Sequence, residues 1–224
     1  MRTGKFIIGI LLLCCFIRMV IGEPCTVPSG SMEPTLLCGD RLWINKLAYG
    51  GRFPSRWADI PLLNVFTWIR PLRLADEENH WEYRRLPGYS EPKQGDIAVF
   101  NSPADPQLLL VKRITRVVKK GEPLRIDRRT LLLYRSLILR DGGKVMEKDG
   151  KIYIDGKSSS QYIPKQRFYY MEGDNRMNSH DSRSFGFISE EAFIGKFDFV
   201  LFSIDSQKQW WKAIRLRRMM MRFP

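Results

Sequence analysis

The chain has 224 residues, enough for one domain or for one domain with a sizeable insertion. Lysine and arginine number 37 against 24 acids, a net charge of +13 that suits nucleic acid, anionic lipid or acidic partners and leaves the choice to local pattern. No CxxC pair and no cluster of histidines with acids is present, so neither a metal site nor a cofactor is expected.

Met1 to Lys5 is short and basic, and residues 6–21 are apolar except for Arg18. At 1.5 Å per residue this stretch covers ~24 Å of a ~30 Å hydrocarbon core, with snorkelling by Lys5 and Arg18 to close the gap. A cleaved signal peptide has the same basic start and apolar middle, but Val20-Ile21-Gly22 lacks a small-x-small cleavage pattern, so residues 1–22 are read as an uncleaved anchor. Arg2 and Lys5 precede it while Glu23, Glu33 and Asp40 follow, which orients the N-terminus to the cytoplasm and the remainder to the outer face. Cys14 and Cys15 fall in the anchor; a bridge between Cys25 and Cys38 stays open, with two free thiols the simpler reading.

Ser29-Gly30-Ser31-Met32-Glu33-Pro34 follows, a polar turn in which glycine permits close backbone approach and proline restricts the bend, as presenting a nucleophile requires. Such a segment is also an ordinary surface turn, and only its companions raise the chemical reading. Residues 41–47 predict a strand. Residues 49–92 form a proline- and aromatic-rich excursion whose side chains, Phe66 and Trp68 among them, suit either internal packing or a membrane surface. Residues 95–100 and 107–118 predict core strands. On the second of these, period-two alternation sets Lys112 on the face of Leu110 and Ile114, where desolvation favours the neutral amine a general base needs.

Residues 119–165 turn hydrophilic and include a hairpin pattern at 146–157, predicting an inserted β subdomain. Residues 166–205 return to the core and carry the polar box Gly173-Asp174-Asn175-Arg176-Met177-Asn178-Ser179-His180-Asp181-Ser182-Arg183. Residues 206–224 combine Trp210, Trp211 and Ile214 with Lys212, Arg215, Arg217, Arg218 and Arg222, a spacing that permits an interfacial helix; a nucleic-acid tail is the weaker alternative, and no nucleic-acid partner is expected.

Five ordered boxes, at residues 28–36, 39–46, 95–100, 111–114 and 173–183, resemble the bacterial type I signal peptidases. The resemblance implies a mainly β fold, with an N-terminal transmembrane helix, an antiparallel β-sheet catalytic domain over 23–118 and 166–205, and a smaller inserted β subdomain. It implies a Ser/Lys endopeptidase of the cytoplasmic membrane that cuts preproteins after A-x-A-like sites. Ser31 would be the nucleophile and Lys112 the general base. Ser29 and the Ser31 amide would form the oxyanion hole, Ser179 would orient the lysine, and Asp174, Asn175, Asp181 and Arg183 would support the site. His80 and His180 are not expected to act as base. The family usually carries a carboxylate where this chain has Met177. A peptidase restricted to conjugation or pilus proteins, and a non-cleaving membrane scaffold, are the other readings; the intact Ser31 and Lys112 speak against the scaffold.

Overall fold

The computed structural model describes residues 2–223 except 55, 61–64, 66, 67, 79, 80, 83, 107, 149 and 206, and excepting also the side chains of residues 2, 3, 77, 210 and 211. Phe66 and His80, and the side chains of Trp210 and Trp211, therefore lie outside the described residues.

The chain begins with helix α1 (Arg2–Phe16), which continues as a π-helical turn over Ile17–Ile21. The 15 α-helical and 5 π-helical residues reach close to the ~30 Å of a bilayer core. Helical structure thus extends past the N-terminal end of the apolar run, and the shortfall expected from 6–21 disappears. The segment Gly4–Ile21 has a mean hydropathy of 2.3 and is not buried against the rest of the chain, so it is long and apolar enough to cross a membrane.

Gly22 ends the helix and starts β1 (Gly22–Thr26), which pairs antiparallel with β2 (Asp40–Asn45). In β2, Leu42 and Ile44 face the core while Arg41 is exposed, the alternation a half-buried strand shows. A short helix α2 (Lys46–Tyr49) follows, and then the long excursion. The excursion contains a helix the prolines did not announce, α3 (Arg70–Glu78). Pro71 lies in its first turn, where a missing N–H costs nothing. The buried carboxylate of Asp76 in α3 accepts from the amides of Trp57 and Ala58 at 2.7 and 3.4 Å, tying the helix to the preceding turn.

Strands β3 (Ile97–Asn101) and β4 (Leu109–Val118) come next, then the insert: β5 (Leu124–Arg125), helix α4 (Arg128–Arg140), β6 (Val145–Lys148), β7 (Lys151–Ile154), β8 (Lys157–Ser158) and β9 (Gln161–Tyr162). Its strands form the two small sheets β5-β9 and β6-β7-β8. Asp155 and Gly156 between β7 and β8 have φ of 52° and 80°, the paired positive values a two-residue hairpin turn demands. Helix α4 was not expected from the hydrophilic composition. Asp127 caps it by accepting from the amides of Arg129 and Thr130, and Leu131, Tyr134, Leu137 and Ile138 recur on one buried face. That face packs with Ile152, Ile154, Phe168 and Phe187, so the insert shares its core with the end of the main sheet.

The main sheet closes with β10 (Phe168–Glu172), a short helix α5 (Ser182–Phe185), β11 (Ile188–Ser189) and β12 (Phe193–Ser203), in the order β1-β2-β12-β3-β4-β10-β11. One cluster of buried side chains, including Met32, Leu36, Leu42, Ile44, Val99 and Val200, supports the loop that follows Ser31. A second joins Phe100, Ile114, Tyr169 and Phe193.

The C-terminal stretch corrects the expectation of an interfacial helix. The helix is confined to α6 (Trp210–Ala213) and a single 3-10 turn, Leu216–Arg218; between them Ile214 bridges to Ile204, and the amides of Met220 and Val200 donate to the carbonyls of Val200 and Met221 respectively. The tail is a strap along β12. Its physical reason is charge: Arg218 makes a two-pronged bond to Asp40, a fully buried carboxylate that also accepts from Ser203 Oγ and the Leu37 amide.

Candidate active site

Lys112 reaches its place through register. In the β3–β4 pair it lies opposite Ala98, and on the other side β10 pairs Glu172 with Arg113, so the chain leaving β10 at Gly173 runs alongside Lys112. Successive residues of β4 point to opposite faces. Lys112 is 3% exposed, whereas Arg113 turns the other way and forms a two-pronged pair with Asp174, Nε–Oδ1 and Nη2–Oδ2 both 2.9 Å. Arg113 also donates to the Gly95 carbonyl at 2.9 Å, linking three of the boxes in one contact set.

Ser31 sits in a single 3-10 turn, Gly30–Met32, and is 9% exposed. Lys112 Nζ lies 2.5 Å from Ser31 Oγ across 81 residues of sequence. Burial pushes the Lys112 amine below the ordinary lysine value; the nearby Asp181 charge opposes this, Arg183 reinforces it and Asp174 opposes it. Burial outweighs the rest because the two carboxylates carry their own arginines. Ser29 Oγ donates to Ser31 Oγ at 3.3 Å, placing a second hydroxyl beside the first.

The polar box grips the nucleophile turn. Asn175 donates from Nδ2 to the Gly30 carbonyl at 3.0 Å and from its amide to the Ser31 carbonyl at 3.1 Å. A β-carbon on Gly173 would lie 2.2 Å from Ser179 Oγ and 2.5 Å from the Ser31 carbonyl oxygen, so only glycine lets box and turn approach this closely. Asp181 is fully buried and accepts from the Gly173 amide at 3.0 Å and twice from the Arg183 guanidinium at 2.9 and 2.8 Å. Burial works against its charge, but Arg183 and the Gly173 amide outweigh it and hold the carboxyl well below the usual range. Asp174 is likewise lowered, burial being overcome by Arg113.

Ser179 departs from expectation. Its hydroxyl is buried against Gly173 without a hydrogen-bond partner, and no bond joins it to Lys112. It favours the charged form of the neighbouring Asp181 but is not placed for a bond of normal geometry. Asp181 spends its acceptors on Gly173 and Arg183, which leaves that hydroxyl unclaimed. Met177 is 97% exposed on the 3-10 turn Arg176–Asn178, pointing away from this cluster. His180 is exposed and meets the edge of Phe185, with ring centroids 5.6 Å apart. No disulfide joins Cys25 to Cys38.

Three contributors escaped sequence reasoning, namely the Arg113–Asp174 pair, the double donation by Asn175 and the close approach at Gly173. The glycine opening a dense polar box was the one available signal; the pairings depend on register.

The sequence as a whole is similar to known proteins. The family model described as "Signal peptidase, peptidase S26" matches residues 1–202. A signal peptidase I of Rickettsia akari is 29% identical over 239 residues, covering 92% of this chain and 79% of that protein. Another, of Pseudomonas aeruginosa, is 30% identical over 200 residues, covering 80% of this chain and 61% of its relative. A solved signal peptidase I from Enterococcus faecalis matches 48% of this chain at 23% identity with a TM-score of 0.25, so the fold rests on this chain's own strand pairings. A family match over 1–202 that takes in Ser31, Lys112 and the whole polar box establishes that this chain belongs to the signal peptidase family, peptidase S26.

Proposed function

We propose that this chain is a membrane-anchored serine endopeptidase that removes N-terminal signal peptides from exported preproteins, with Ser31 as nucleophile and Lys112 as general base. The observation that carries the reading is the 2.5 Å approach of a buried amine to a buried serine hydroxyl. A lysine can serve as base only when neutral, and burial favours that form.

In the proposed cycle Ser31 Oγ attacks the scissile carbonyl carbon while its proton passes to Lys112 Nζ. The carbonyl oxygen takes up the negative charge, held by the Ser29 hydroxyl and the Ser31 amide; removing one such donor typically costs about 2.7–4 kcal/mol in the barrier. Lys112 then gives its proton to the leaving amine as the carbon–nitrogen bond breaks. Water, deprotonated by Lys112 Nζ, attacks the acyl carbon, and the ester bond to Ser31 Oγ breaks as Lys112 returns the proton to Oγ. Asn175 and Gly173 hold the turn so that Oγ stays at the lysine, Asp181 with Arg183 anchors the box, and Asp174 does the same for β4 through Arg113. Ser179 is assigned the orientation of Lys112 once the amine is charged and needs a second acceptor.

The substrate preference is for small residues at the first and third positions before the cut, as in A-x-A. An N-terminus in the cytoplasm and a sheet domain on the outer face of the cytoplasmic membrane are supported by the charges, Arg2 and Lys5 before the apolar run and Glu23 after it. Trp68 in the excursion, 85% exposed, adds an apolar ring suited to the bilayer interface.

The test is to incubate the detergent-solubilised chain with a labelled preprotein beside its Ser31→Ala and Lys112→Ala variants. Cleavage at the signal-peptide junction by the parent alone is expected, with both variants folded. Full activity in folded Lys112→Ala protein would overturn the dyad.

A further inference from the structure

A cavity of about 220 Å³ opens where α1 joins the sheet domain, and neither Ser31 nor Lys112 lines it. Its walls include Arg18 and Met19 of the last helical turn together with Glu23, Lys46, Arg52 and Asp59. Lys46 Nζ donates to the Arg18 carbonyl at 2.9 Å and pairs with Glu23 at 3.2 Å, and Arg18 reaches the same carboxylate at 3.5 Å. Arg52 donates to Asn101 Oδ1 at 2.8 Å, and Asp59 pairs with Arg56, which stands outside the lining, at 3.9 Å. Three cationic side chains thus share the lining with two carboxylates. The lining carries a surplus of positive charge in a pocket where Lys46 is largely withdrawn from water.

That concentration of charge is costly. Burial depresses the Lys46 amine, Glu23 only partly restores it, and Arg18 and Arg52 depress it further. A bound anion would relieve all three cations. The position says which anion: Arg18 and Met19 lie within one turn of the helix end at Ile21, which is headgroup depth for a spanning helix. Phe53 also lines the pocket and is exposed beside it, giving an apolar edge toward the acyl region.

We propose that this cavity binds the phosphodiester of an anionic phospholipid, with Lys46, Arg52 and Arg18 as its cationic wall and the glycerol and acyl chains leaving past Phe53 and Met19. The proposal rests on the reading of α1 as a membrane anchor. It gives the sheet domain a second fixed point at the bilayer, next to the junction of helix and strand at Gly22.

The full-length chain, solubilised in detergent, is titrated with phosphatidylglycerol or phosphatidylcholine and examined by native mass spectrometry. One phosphatidylglycerol is expected to stay bound, in preference to phosphatidylcholine. Lys46→Gln and Arg52→Gln should each reduce retention about fivefold, the effect of removing one basic residue near anionic lipid, while still cleaving preprotein in detergent. Equal retention of the two lipids, or retention unchanged in both variants, overturns the site. Displacement by millimolar inorganic phosphate overturns the assignment to lipid. Flotation with phosphatidylcholine vesicles separates the two readings: failure of the parent chain to float overturns the anchor and this site with it, whereas flotation without lipid preference overturns the site alone.

Discussion

At the scale of single residues, the pH dependence of cleavage reports the environment of Lys112. Its folded-state pKa lies below the ordinary lysine value of 10.5 because it is buried, so the neutral base is available at lower pH than an exposed lysine would allow. The ascending limb of kcat/KM against pH should therefore lie below 10.5. The Asp181 charge raises the Lys112 pKa, so Asp181→Asn, which keeps an acceptor for the Gly173 amide, should move that limb to lower pH. An unmoved limb in an active Asp181→Asn variant would assign it to another group. Ser179 provides a second case. A buried hydroxyl without a partner contributes nothing to stability, so Ser179→Ala should leave the unfolding midpoint unchanged or raised. A lowered kcat in that same variant is expected if the hydroxyl serves Lys112 during turnover; a lowered midpoint with unchanged kcat would make it a packing residue.

Among the elements, the C-terminal strap governs the loop behind the nucleophile. Arg218 donates to the Thr35 carbonyl at 2.8 Å as well as to Asp40, and Arg215 donates to the Cys38 carbonyl at 3.0 Å. The Asp40 side chain is wholly buried and that of Arg218 is 15% exposed, so Arg218→Ala would strand a charge in the interior. Removing one partner of such a pair typically costs about 3–5 kcal/mol. Chemical denaturation of the variant should show a loss of this size, and adding Asp40→Asn should recover part of it by removing the stranded charge. Additive losses in the double variant would show that the pair is not what binds strap to loop.

For the molecule as a whole, buried carboxylates tie its stability to pH. Asp40, Asp174 and Asp181 all titrate below their ordinary value of 3.8 when folded, burial in each case being outweighed by arginine and hydrogen-bond partners. The unfolded chain therefore takes up protons first as the solution is acidified. Their stabilisation is complete above that ordinary value and is lost as pH falls through it toward the lower folded values. The thermal midpoint should be insensitive to these groups near neutrality and fall steeply below about pH 4. A midpoint flat from pH 6 to pH 3 would mean that the three pairs contribute nothing.

Local chemistry was legible in the amino-acid order alone. The apolar start, the period-two placement of Lys112 beside Ile114, the hydroxyls around Gly30 and the dense polar box each follow from neighbouring residues. Together with the family resemblance they name Ser31 and Lys112 as partners. Helix α4 was legible too, through Asp127 and the spacing of Leu131, Tyr134 and Ile138, but a hydrophilic composition obscured it. What only the tertiary structure decided are the pairings between distant segments: Arg113 with Asp174, Asn175 with the Ser31 turn, Arg218 with Asp40, and Ser179 with no partner. The tail illustrates why. Lys212, Arg215, Arg217, Arg218 and Arg222 beside Trp210 suit a lipid surface in isolation, whereas the folded chain offers carboxylates, Asp40 to Arg218, Asp205 to Arg215 and Asp198 to Arg222, that hold the tail against the sheet. Strand register and the burial of a single charge are properties of the assembled sheet, set by contacts among residues far apart in the chain, and local pattern carries no record of them.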